Sequence, residues 1–152
     1  MPTTDNTAEY TLYLVRHAEK QAGDDPALTE TGAARAEALA DLLEGESIEA
    51  VWSSNYTRTR DTAAPLAERL DLNVRLYDAS DLSGLAEQLK ADAQTALVVG
   101  HSNTTPNLAE ALGGDAGTPI DEPTEYDRLY VLTGIGTDAV ETDIRRFGAT
   151  ND

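Results

Sequence analysis

The chain of 152 residues contains two histidines, His17 and His101, and each stands among residues that bind anions. Arg16 and Lys20 flank His17 in Arg16-His17-Ala18-Glu19-Lys20. Arg58 and Arg60 follow Ser53-Ser54-Asn55-Tyr56-Thr57, and Ser102 and Asn103 follow His101. A guanidinium presents a planar fork of donors suited to phosphate oxygens, and an imidazole can attack phosphorus or donate a proton to its oxygens. Asp78 and Asp81 are carboxyl groups of the kind that hand a proton to a leaving group. Each feature alone has a plainer reading. A lone histidine at a strand end is a satisfied polar residue, Arg16 with Glu19 and Arg58 with Asp61 are surface ion pairs of little worth, and Asp78 or Asp81 caps a helix. Only their convergence on one place would make a site for an anionic ligand.

The intervening elements predict that convergence. Residues 11–15, 50–53, 73–77 and 95–99 are short apolar, β-favouring runs. Between them lie helical periodicities. Ala36, Leu39, Ala40 and Leu43 form one inward stripe, with Arg35, Glu37, Asp41 and Glu44 outward and Thr29 or Thr31 as the cap. Ala63, Leu66, Ala67 and Leu70 form a second, in which Pro65 requires the first turn or a kink. Leu82, Leu85, Ala86 and Leu89 form a third. The fourth helix is expected to start with Thr105 as N-cap and Pro106 at its first position, and to stop at Gly113-Gly114. Residues 127–133 and 138–147 then read as a hairpin across Gly134-Ile135-Gly136.

Four β-α units and a hairpin predict an α/β fold with a mostly parallel, mixed sheet. Parallel strands end at one sheet edge, where ligands bind, and both histidines fall just past such ends. Residues 1–10 are expected to be flexible and residues 11–148 to form a single domain.

Composition narrows the possibilities. The absence of cysteine excludes disulfides, a thiolate nucleophile and cysteine-bound metal, and two histidines speak against a metal centre. The aliphatic run 96–99 is far shorter than the ~20 residues of a membrane span. The opening segment lacks the basic and apolar regions of a signal peptide, so a cytoplasmic protein without a membrane partner is expected. Eleven Lys and Arg against 28 Asp and Glu give a net charge of −17, which repels nucleic acid. The same balance fits a halophilic protein or an ordinary acidic surface equally well.

These segments resemble the histidine phosphatase superfamily, also called phosphoglycerate mutase-like. LYLVRHAEK is similar to the family's strand ending in Arg-His, and LTETGAARAEALADLL to its first helix. SSNYTRTRDTAAPLAERL is similar to its Ser-x-x-x-Arg-x-x-x-Thr-Ala segment, and VVGHSNT to the strand bearing the second histidine. The resemblance runs in family order over residues 11–112.

It implies a three-layer α/β/α sandwich with a central sheet of about six strands and no metal or other cofactor. It makes His17 the nucleophile, carrying a phosphohistidine intermediate, and Arg16, Arg58 and His101 the phosphate pocket. Ser102 stands where one branch of the family has Asp, which points to the other branch. That branch places an acid after the third strand. Asp78 is the nearest equivalent proton donor, with Asp81 the second choice and Glu19 the third. Lys20, Arg60, Ser102 and Asn103 are candidate substrate contacts, and residues 18–27 and 113–124 are long enough to shape a pocket. The short chain favours hydrolysis of a phosphorylated small molecule or phosphoprotein over a phosphomutase, with a non-catalytic phospho-ligand binder as the alternative. Oligomeric state is open.

Overall fold

The computed structural model describes residues 10–23, 25–121, 125–135 and 139–147. The apolar runs become β1 (Leu12–Arg16), β2 (Ala50–Ser54), β3 (Val74–Tyr77) and β4 (Ala96–Gly100). They alternate with α1 (Glu30–Leu43), α2 (Thr57–Leu70), α3 (Leu82–Asp92) and α4 (Thr104–Ala111), and β5 (Arg128–Thr133) and β6 (Glu141–Arg146) follow. The six strands form one sheet in the order β3-β2-β4-β1-β5-β6. β1, β2, β3 and β4 pair in parallel, whereas β5 and β6 are antiparallel.

Side-chain alternation along the strands sends successive residues to opposite faces. Leu12, Leu14 and Val98 meet Leu85 and Leu89 of α3 and Leu108 of α4 in one core. Tyr13, Val15, Val51 and Val99 meet Leu39 and Leu43 of α1 and Leu66 of α2 in the other. Helices therefore cover both faces, and the three layers expected from the sequence are present. Each fully buried leucine contributes about 1.5–3 kcal/mol. At one edge, β6 is a charged and mostly exposed strand, a pattern that discourages pairing with another chain. Among the described residues no helix is long and apolar enough to cross a membrane.

Several local details depart from the sequence reading. Tyr10 is buried against the first core rather than frayed, while residues 1–9 lie outside the described residues. Arg35 is buried instead of outward-facing, because Glu19 and the Phe147 carbonyl bind its guanidinium. Pro65 lies well inside α2. α4 begins at Thr104 with Asn103 in the cap position, not with Thr105. The Thr104 hydroxyl instead accepts from the His101 N–H, and Thr105 turns inward and donates to the Val15 carbonyl. The hairpin strands stop at Thr133 and Glu141, so their connection is longer than Gly134-Ile135-Gly136. Gly134 takes the left-handed φ of +72° that starts the turn, and Gly136 and residue 138 lie outside the described residues.

Candidate active site

β1 and β4 are adjacent and parallel, with Arg16 in register with Gly100. His17 and His101 therefore leave the sheet side by side, and the His17 N–H donates to the Gly100 carbonyl at 2.8 Å. Gly100 admits no side chain. A Cβ there would lie 2.8 Å from the Tyr77 hydroxyl and 2.9 Å from Thr104 Oγ1. β2 ends on the same edge, and α2 starts after a gap of two residues, placing Arg58 in its first turn. Thr62 staples these pieces together, since its hydroxyl accepts from the Ala18 N–H at 2.9 Å and donates to the Arg58 carbonyl at 2.8 Å. Tyr56 supplies no side-chain cap to α2. Asp25, from the loop after β1, caps it instead by accepting from the Thr57 N–H and hydroxyl.

His17 is buried, and its Nδ1 lies 2.8 Å from the Ala18 carbonyl. A carbonyl only accepts, so Nδ1 carries the proton and Nε2 carries the lone pair. Burial holds His17 down at a pKa of about 3, partly opposed by the Ala18 carbonyl and reinforced by Arg16, His101 and Arg58. His101 is pushed down to about 4, first by burial and then by Arg58 and Arg16. Both rings are therefore neutral near pH 7.

Two tyrosines hold the arginines. The Arg16 guanidinium sits 4.0 Å from the Tyr126 ring centroid and donates through Nη1 to the Glu125 carbonyl at 2.8 Å. The Glu125 carboxylate is gripped by Arg128 at 2.7 Å and Arg146 at 2.6 Å, which braces that segment from β5 and β6. Arg58 lies 4.7 Å from the Tyr56 ring centroid, and its buried Nε has no hydrogen-bond partner. An unsatisfied buried donor costs about 1–3 kcal/mol, a cost that an anionic oxygen would relieve.

The cavity over these groups measures about 430 Å³ and is lined by His17, Lys20, Tyr56, Arg58, Ala79, Ser80, His101, Ser102, Asn103 and Thr104. It thus brings together His17, His101, Arg58, Lys20, Ser102 and Asn103, with Arg16 buried beside the two histidines. A neighbouring hollow of about 350 Å³ shares Ser102 and Asn103 and reaches Thr118 and Ile120, so the loop after α4 does border the site. Arg60 is not among the lining residues. It donates to Asn55 at 2.5 Å and to Thr57 at 3.3 Å.

Asp78 and Asp81 flank Ala79 and Ser80, which line the cavity, but each proposed proton donor is bound by a neighbour. The Asp78 carboxylate accepts from the N–H and hydroxyl of Ser80, which lowers its pKa, the wrong direction for an acid. Asp81 is the N-cap of α3 and accepts from the Gly84 N–H. Glu19 is bound to Arg35. None of the three lines the cavity. Sequence reasoning gave Tyr56 no role, and it missed Ser54, Glu125 and Tyr126 as parts of the site. Tyr56 had a usable signal in its closeness to Arg58. Tyr126 had none, since only the pairing of β5 with β1 carries it to Arg16.

The chain is similar to known proteins in sequence and in fold. Residues 12–87 match the family model of the histidine phosphatase superfamily, branch 1. No curated protein sequence gives a significant match. Among solved structures, a candidate phosphohistidine phosphatase SixA from Nakamurella multipartitia is 26% identical, with 93% of this chain and 98% of that one covered and a TM-score of 0.68. A protein histidine phosphatase SixA bound to tungstate is 20% identical, over 91% and 96% of the two chains, with a TM-score of 0.67. A mycobacterial glucosyl-3-phosphoglycerate phosphatase shares the fold at 17% identity, over 93% and 100%, with a TM-score of 0.69. With half its length matched by the family model and its two histidines and two arginines gathered at one sheet edge, the chain belongs to the histidine phosphatase superfamily, branch 1.

Proposed function

We propose that this phosphatase transfers a phosphoryl group to Nε2 of His17 and then to water, and that it acts on substrates whose leaving group departs without a carboxylic acid. The observation that carries this reading is a cavity that, among the described residues, is lined by cationic and neutral side chains and by no carboxylate.

The steps follow from the side chains. The Nε2 lone pair of neutral His17 attacks phosphorus as the bond to the leaving group breaks in line. Donation from Nδ1 to the Ala18 carbonyl steadies the ring as it becomes positive. Arg16, Arg58 and His101 meet the charge on the phosphoryl oxygens, where electrostatic positioning supplies most of the catalysis. Water then attacks phosphorus and frees Nε2. Lys20 is the remaining cation among the described lining residues and would contact a further anionic part of the substrate.

Without a carboxylic acid, imidazole phosphoramidates and aryl phosphates are better substrates than alkyl phosphates, because a ring protonated by solvent leaves as neutral imidazole and an aryloxide leaves as a stabilised anion. A phosphohistidine side chain is one such phosphoramidate, which agrees with the SixA structures. The test compares a phosphohistidine peptide, an aryl phosphate and an alkyl phosphate with wild type and His17→Ala. Hydrolysis of the first two, abolished in His17→Ala and far slower on the alkyl ester, is expected. Activity surviving His17→Ala would overturn the mechanism, and an alkyl ester cleaved as fast as the others would overturn the substrate class.

A further inference from the structure

His101 Nε2 lies 2.8 Å from the Ser54 hydroxyl, and Ser54 Oγ lies 2.9 Å from Thr59 Oγ1. Thr59 Oγ1 in turn lies 2.8 Å from the Ser54 carbonyl and 3.0 Å from the Tyr56 carbonyl. Carbonyls only accept, so the Thr59 proton points at them. Otherwise oxygen lone pairs would face each other at hydrogen-bond distance. Thr59 Oγ1 then accepts the Ser54 proton, and Ser54 Oγ accepts the proton on His101 Nε2. Both hydroxyl residues are fully buried, so water does not replace either partner. Nδ1 is the nitrogen left for a ligand in a ring that borders the cavity.

We propose that Ser54 and Thr59 are positioning residues that hold His101 in its Nε2–H tautomer, opposite to the Nδ1–H tautomer of His17. Hydrogen-bond partners decide such tautomers. A phosphoryl group arriving at Nδ1 brings its own proton as a monoanion, or draws one from solvent. His101 then becomes an imidazolium, with Nδ1–H on a phosphoryl oxygen and Nε2–H on Ser54. The catalytic consequence rests on the phosphatase reading above, whereas the tautomer does not.

The full-length chain labelled with ¹⁵N, without ligand at pH 7, tests the tautomer directly. It has two histidines, and His101→Ala assigns the signals. The expected spectrum shows His17 protonated on Nδ1 and His101 on Nε2, and Ser54→Ala turns His101 into a tautomer mixture while leaving His17 unchanged. In kinetics on an aryl phosphate, Ser54→Ala should lower kcat/KM about ten- to a hundredfold. Ser54→Thr should recover most of that loss, and Ser54→Ala should cost nothing further in a His101→Ala background. A wild-type His101 protonated on Nδ1, shifts unmoved by Ser54→Ala, or an equal loss in the His101→Ala background would each overturn the proposal. Should His17→Ala retain activity, the phosphatase reading falls while the spectrum still decides the tautomer.

Discussion

The rings of His17 and His101 meet edge-on, with centroids 5.6 Å apart and planes inclined at 67°. Two imidazolium ions at that distance, beside Arg16 and Arg58, would repel strongly, and burial already disfavours either charge. The site therefore stores two neutral rings against positive side chains, an arrangement that an incoming phosphoryl dianion relaxes.

That arrangement makes stability depend on pH. His17 has a folded pKa of about 3 against an ordinary 6.5. Between those values the unfolded chain binds more protons than the folded one, so stability is complete above pH 6.5 and is lost progressively as pH falls toward 3. From pH 7 to pH 5 the loss due to His17 alone is about 2 kcal/mol. Urea unfolding of wild type and His17→Gln at the two pH values cancels the titration of the carboxylates common to both. A smaller loss in His17→Gln is expected, and equal losses would show that His17 is not held neutral by the fold.

Asp78 and Asp81 separate by readout. Asp78→Asn should leave hydrolysis of aryl and alkyl phosphates within about twofold of wild type, since a proton donor typically contributes 10²–10⁴-fold and this carboxylate is spent on Ser80. Asp81→Ala removes the cap of α3 and should cost about 1 kcal/mol of stability with kcat preserved. A hundredfold drop confined to the alkyl ester in Asp78→Asn would restore that residue as the donor.

Arg35 is held bidentately by Glu19 and donates to the Phe147 carbonyl at 2.9 Å, tying α1 to the loop that carries His17 and to the end of β6. The close approach needs Gly32, where a Cβ would fall 2.1 Å from the Glu19 carbonyl oxygen. Removing one partner of a buried pair leaves the other charge uncompensated, so Arg35→Met should cost about 3 kcal/mol. Glu19→Met together with Arg35→Met should recover much of that. Denaturant midpoints of the single and double variants decide it, and an Arg35→Met protein as stable as wild type would mean the pair is a bystander.

Much of the fold was legible locally. The strand and helix periods around Leu14, Leu39, Leu66, Leu85 and Val98 depend on side-chain spacing alone, and each element formed within a few residues of its expected bounds. Arg16, His17, Arg58 and His101 were legible for a related reason. A parallel β-α succession sends every strand end to one edge, so position in the chain already implies position in space. The charge balance, the lack of thiols and the absence of a long apolar run likewise follow from composition.

Only the tertiary structure decided what each polar group spends its hydrogen bonds on. Asp78, Asp81, Glu19 and Arg60 are chemically able to serve the cavity, yet partners from nearby turns or from α1 bind them first. Arg35 looked outward by helical period, but a carboxylate in the β1–α1 loop and a carbonyl at the end of β6 drew it in. Tyr126 and Glu125 reach Arg16 because β5 pairs with β1, and Ser54 reaches His101 because β2 pairs with β4. Such contacts join residues far apart in the chain. Their formation depends on strand order and register, which are settled by packing of the whole sheet rather than by any local pattern.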